Sequence, residues 1–86
     1  MSELTDLPNI GTTLADRLHR IGITNREQLA AVGSVEAIVR IGAATGGGCH
    51  SMLYALEGAI QGVRWHSLPE AVRQELRRRL DHARGR

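Results

Sequence analysis

Apolar residues recur along this chain three or four positions apart, the spacing of one helix face, and no stretch alternates as a half-buried strand would. Leu14, Leu18 and Ile21 mark a first helix over about 12–21. Ile10 is placed to staple its start, Thr12 or Thr13 to cap it, and Gly22 to end it in a left-handed turn. "TNREQLAAVG" predicts a second helix, capped by Thr24 or Asn25 and stopped at Gly33. "SVEAIVRIGAA" predicts a third from a Ser34 cap, and "TGGGC" (45–49) breaks the pattern.

A longer fourth helix is predicted over 49–62, with Cys49, Met52, Leu53, Leu56, Ile60 and Val63 along one apolar face. Ala55, Gly58, Ala59 and Gly62 form a second stripe of small residues. An interior glycine costs a helix about 1 kcal/mol relative to alanine. Close helix packing within the fold would offset that cost, and a contact between two copies is the other reading. "SLPEAVRQELRRRLDHAR" predicts the last helix, with Ser67 and Glu70 as a capping box and Pro69 in the first turn. Leu68, Val72, Leu76, Leu80 and Ala83 line its inner face. Arg73, Arg77 and Arg84 cluster beside that face, and Arg79 falls near the stripe, where it must snorkel or meet a partner. Glu75 can pair with Arg79, and Arg77 with Asp81, one turn apart. The expected fold is all-α: one domain over 1–86, a compact bundle of about five short helices in the style of helix-hairpin-helix or SAM-like domains.

A faint repeat runs through the first half. "LPNIGTTLA" (7–15) aligns with "LAAVGSVEA" (29–37), pairing Leu7 with Leu29, Ile10 with Val32, Gly11 with Gly33, Thr12 with Ser34 and Ala15 with Ala37. Two packed helix–turn–helix units would leave such a trace, and so would two helix starts that merely look alike.

Composition narrows the picture. The 86 residues are 42% hydrophobic with one Trp, one Tyr and no Phe, so the core is aliphatic. A single cysteine, Cys49, allows no disulfide within the chain and fits a reducing, cytoplasmic setting. The N-terminus has neither the basic nor the apolar region of a signal peptide, and no run is long enough to span a membrane. All eleven basic residues are Arg. Residues 1–72 hold five Arg against seven acids, and residues 73–86 hold six against two, so the basic character sits at the C-terminal end. A nucleic-acid contact or a solvated helix end would each explain it.

Catalysis finds no footing, because no nucleophile elbow, P-loop, dinucleotide fingerprint or zinc-protease helix occurs. His19, His50, His66 and His82 are scattered, so no metal or cofactor is expected. Cys49 at a helix start reads as a small buried hydrophobe rather than a reactive thiol. The turn Pro8–Asn9–Ile10–Gly11 resembles the hairpin of a helix-hairpin-helix motif, whose backbone N–H groups and helix N-terminus receive a phosphate. Asn9 stands where that motif has its first glycine, and no basic residue precedes Arg17. The turn therefore reads first as a fixed helix start and second as a phosphate clamp. In the clamp reading Asn9, Gly11, Thr12, Thr13 and Arg17 act with Arg73, Arg77, Arg78 and Arg84 on duplex DNA. A competing protein-contact face would use Tyr54, Glu57, Gln61 and Trp65. Glu57 and Gln61 could equally be a solvated helix side, and Trp65 is expected in the core, with His66 at its boundary.

Three stretches, "LPNIGTTLADRLHRIGI", "LAAVGSVEAIVRI" and above all "LYALEGAIQGVRWHSLP", together resemble the C-terminal domain of TfoX/Sxy-type proteins, regulators linked to DNA-uptake competence in bacteria. The resemblance runs from about Leu4 to Leu80, here as a stand-alone copy, since the family's longer form places a different domain ahead of this one. It implies an all-α domain without catalysis, acting in transcription of competence genes. The partner would be the transcription machinery or another regulatory protein, with duplex DNA as the alternative, and the chain a monomer or weak homodimer.

Overall fold

The structure is a computed structural model and describes residues 4–45 and 50–85. Of the break expected over 45–49, Thr45 ends α3, and residues 46–49, with the buried position expected for Cys49, lie outside the described residues. A 3₁₀ turn, Leu4–Asp6, leads into five helices: α1 (Thr12–Arg20), α2 (Arg26–Val32), α3 (Ser34–Thr45), α4 (His50–Gln61) and α5 (Glu70–Ala83). A second 3₁₀ turn, Trp65–Ser67, joins α4 to α5, and no strand occurs among the described residues.

The helix α3 is the hub and packs against each of the other four helices. Its Ala37, Ile38 and Ile41 are fully buried with Leu18 of α1, Leu29 of α2, Leu53 and Leu56 of α4 and Leu80 of α5. Aliphatic side chains fill this centre, as a chain without Phe requires.

Glycines shape the corners. Behind α1, Gly22 is left-handed (φ 85°); Ile23 N–H bonds Leu18 C=O and Gly22 N–H bonds His19 C=O, a Schellman ending with Ile23 buried against Leu18. The same pattern closes α4, where Gly62 N–H reaches Ala59 C=O and Val63 N–H reaches Gly58 C=O. That turn puts Val63 outside, 36% exposed, rather than on the apolar face expected for it.

Three caps differ from expectation and one agrees with it. Gly11, extended and without a side-chain cap bond, precedes α1, so Thr12 and Thr13 are inside the helix and do not cap it. Asn25 does cap α2, accepting Gln28 N–H at 2.8 Å, while Gln28 Oε1 accepts from Thr24 N–H at 2.6 Å. Ser34 opens α3 as its first helical residue rather than its cap, because Gly33 C=O already accepts the first helical bond, from Ala37 N–H. Ser67 caps nothing: Leu68 and Pro69 are extended, which places Pro69 at the N-cap of α5 and leaves Ser67 closing the preceding 3₁₀ turn. Glu70 is thereby released from the capping box to face the arginines of its own helix.

The repeat is visible as two glycines, Gly11 and Gly33, each giving its C=O to the residue four on, Ala15 and Ala37, both buried. The two turns are not copies, because Gly33 has φ 87° whereas the left-handed residue of the first turn is Asn9, φ 70°.

Asn9 ties the first turn to the far end of α4. Its Nδ2 donates to Val63 C=O at 3.0 Å and, more loosely, to Ala55 C=O at 3.4 Å, and its Oδ1 accepts Trp65 N–H at 3.1 Å. Gly58 makes room for it: a Cβ there would lie 2.6 Å from Asn9 Nδ2 and 2.7 Å from Val63 O. The small-residue stripe of α4 is thus used at Gly58 for packing inside the fold. Alanine at 58 would gain about 1 kcal/mol of helix propensity. The clash with backbone on one side and the carboxamide on the other costs about 1–3 kcal/mol. Gly58→Ala is therefore expected to lower the urea midpoint, and an equal or higher midpoint would show that the turn yields to the methyl group.

Candidate functional site

The side chains singled out in the sequence fall into two connected groups. In the first, Tyr54 of α4 is buried, stacked on Trp65 with ring centroids 6.3 Å apart and planes 19° from parallel. His50, one turn earlier on α4, flanks the other end of the tyrosine at 6.3 Å, and His66 lies 4.0 Å from Trp65. Trp65 is half-buried at the margin of the core rather than inside it, because the 3₁₀ turn that carries it runs over the surface between α4 and α5. Its backbone N–H is the one held by Asn9. The first turn, the aromatic stack and α5 therefore form one chain of contacts, completed by Arg77 Nη1 donating to Tyr54 Oη at 2.5 Å.

The second group is the arginine face of α5. Glu70 receives Arg73 at 3.0 Å and Arg77 at 3.2 Å, and Glu75 receives both Nε and Nη2 of Arg78. The expected pairs Glu75–Arg79 and Arg77–Asp81 do not form. Glu75 turns to Arg78 three residues on, and Arg77 reaches back two turns along its own face to Glu70 and out to Tyr54 of α4. Arg73 Nε is buried without a hydrogen-bond partner, the cost of laying that stem along the core margin. Arg84 is exposed at the C-cap of α5.

Tyr54, Glu57 and Gln61 do not share a solvated face. Tyr54 is buried, and Glu57 is half-buried with both oxygens taken, one by the hydroxyl of buried Ser34 at 2.7 Å and one by Gln61 Nε2 at 2.6 Å. Glu57 lies at the start of α3, where the helix dipole favours an anion. The N-terminus of α3 is in this way supplied with a carboxylate from within the chain. At the start of α1 the corresponding place is open: Gly11, Thr12 and Thr13 are exposed, and Arg17 is half-buried one turn further on. The inward turn of Asn9 was not legible in the sequence. Its signal was an asparagine in a glycine position, read there only for its backbone.

Hydrogen bonding from Arg77, helped by the charge of Arg73, holds the Glu70 carboxyl below its ordinary value of 4.5, and Arg78 does the same for Glu75. A carboxyl whose pKa is depressed by folding stabilises the fold above its unfolded value. That contribution fades as pH falls from about 4.5 through the lower folded value. Glu70 is largely in solvent, so salt weakens the effect. Urea midpoints at pH 7 and pH 3 should therefore converge in Glu70→Gln relative to the unaltered chain, and an identical pH dependence in both would count against the pairing.

Among the described residues no group of three or more His, Cys, Asp and Glu is placed to hold a metal ion, and no helix is long and apolar enough to cross a membrane. With this geometry in hand, two solved structures are informative. A crystal structure of an uncharacterized protein from Listeria monocytogenes, in a triclinic form, is 45% identical and superimposes with a TM-score of 0.89 over 98% of this chain and 96% of that one. A protein of unknown function from Listeria monocytogenes, in a tetragonal form, is 49% identical with a TM-score of 0.81, over 86% of this chain and 91% of that one. No curated protein matches the chain. The family model of the TfoX C-terminal domain, a regulatory type of domain not known as enzymatic, matches residues 1–80. The chain belongs to the TfoX C-terminal domain family.

Proposed function

We propose that this chain is a non-enzymatic adaptor, a protein–protein contact module in the transcriptional control of competence or DNA uptake, working in the cytoplasm. The observation that carries the reading is the state of the basic helix. Arg73, Arg77 and Arg78, three of the arginines that made the C-terminal end look suited to DNA, are matched by Glu70 and Glu75. A duplex would have to displace these carboxylates or meet them, and direct DNA readers present a contiguous run of unpaired cations. Family membership adds the regulatory context. The partner is then the transcription machinery or another regulatory protein.

A second reading has one observation in its favour. The start of α1 has no side-chain cap, and a Cβ at Gly11 would meet open space. A phosphate could approach those N–H groups, with Arg17 nearby. Labelled duplex DNA titrated with the protein at about 50 and 200 mM salt separates the two, since contacts to several phosphates make affinity fall steeply with salt. The adaptor reading expects no change in anisotropy up to high micromolar protein. Binding that is steeply salt-dependent and abolished by Gly11→Val would replace it with the phosphate clamp. Valine suits the extended backbone at 11 (φ −95°) and costs no more than about 1 kcal/mol at an N-cap, so the variant stays folded.

A further inference from the structure

The end of α4 and the turn after it carry a surface with more free donors than free acceptors among its side chains. Six of its backbone acceptors are spent within the chain. Gly58 and Ala59 C=O take the Schellman bonds, Ile60 C=O takes the Arg26 guanidinium, Val63 C=O takes Asn9, and Arg64 and Trp65 C=O take the N–H groups of Ser67 and Leu68. The donors of the same surface are not spent. Arg64 is exposed, and its guanidinium has no ion pair or hydrogen bond among the described residues. The indole N–H of half-buried Trp65 likewise has no partner and is not sealed from solvent. Arg26 is exposed and spends its guanidinium on a neutral carbonyl, without a carboxylate. Beside Arg64 in the chain, and three residues past the carbonyl that holds Arg26, stands exposed Val63, the one large hydrophobic side chain so exposed among the described residues, followed by the adjoining rings of Trp65 and His66.

We infer that this patch, Val63–His66 with Arg26 at its edge, docks an acidic segment of a partner protein, one whose carboxylates flank an apolar side chain. The inference rests on the adaptor reading and names its surface. Arginine donors beside an apolar centre with a tryptophan match the composition of protein contact sites, where Trp and Arg carry much of the energy. The centre argues for a protein over a nucleic acid: a phosphate strand brings nothing to cover Val63, and two cations are few for a duplex. The patch is also held ready. Asn9 fixes the backbone at Val63 and Trp65, and Tyr54 backs the indole, so docking need not order the turn.

A random peptide library displayed on phage, panned on the 86-residue chain, supplies the probe. Selected peptides are synthesised and titrated against the unaltered chain, Val63→Glu and Arg64→Glu, with circular dichroism to confirm folding. Both substitutions sit on exposed side chains, so the fold should hold. Trp65 is the sole tryptophan, and its emission reports contact at the patch directly. The expected result is peptides rich in Asp and Glu around an apolar residue, a shift of Trp65 emission on binding, and roughly tenfold or greater weakening by each substitution. Peptides that bind with Trp65 emission unmoved and both variants unaffected would overturn the patch and leave the adaptor reading standing on another surface. Selection of no peptide, or of basic or neutral ones only, overturns the patch as well. Duplex DNA that binds and is weakened by Arg64→Glu would overturn both, because the patch would then serve nucleic acid.

Discussion

The carboxamide of Asn9 is the bond on which the arrangement of this small domain turns. One side chain satisfies a carbonyl and an amide that the Gly62 turn and the following 3₁₀ turn would otherwise leave without partners. It does so from a residue 54 to 56 positions away in sequence, with the backbone held at φ 70°, a conformation asparagine tolerates better than any bulkier residue. Because α3 already gathers the other helices around its aliphatic side chains, the Asn9 bonds are not needed to build the core. They fix how its two edges, the N-terminal turn and the aromatic turn before α5, sit against it.

The electrostatics follow the same economy. The formal charge of +2 conceals a C-terminal helix with many arginines, yet those nearest the core are answered locally. Glu70 is free to answer two of them only because Pro69, and not Ser67, stands at the helix cap. On α4, Glu57 is turned to the start of α3 and away from solvent. Cations without carboxylates thereby remain at the end of α4, on Arg64 and Arg26, a place that the count of charges along the chain did not single out.

Much of the architecture was legible because helix periodicity and glycine stops are local signals. Leu14, Leu18 and Ile21 with Gly22, or Asn25 before Arg26, each encode their element within a few residues, and the structure has them there. The capping expectations failed where two neighbours compete for one role. Gly11 and Thr12, Gly33 and Ser34, and Ser67 and Pro69 are each a pair in which backbone geometry rather than side-chain chemistry decides the cap. Tyr54 has no solvated face because its ring packs under Trp65 and its hydroxyl accepts from Arg77, contacts across 11 and 23 positions that helix periodicity does not encode. Asn9 in a glycine position signals the left-handed turn, but a side chain meeting residues from 55 to 65 has no signature in a single sequence.

The hole at Gly58 is held shut to larger residues from two sides, by the Asn9 carboxamide and by the Val63 carbonyl of the turn. A shorter residue at 9 would relieve only the first of these, and the turn would still ask for glycine in the middle of the helix. Position 58 should therefore tolerate less drift than position 9 across descendants of this sequence, because a change at 9 forfeits hydrogen bonds whereas a change at 58 has to move backbone as well.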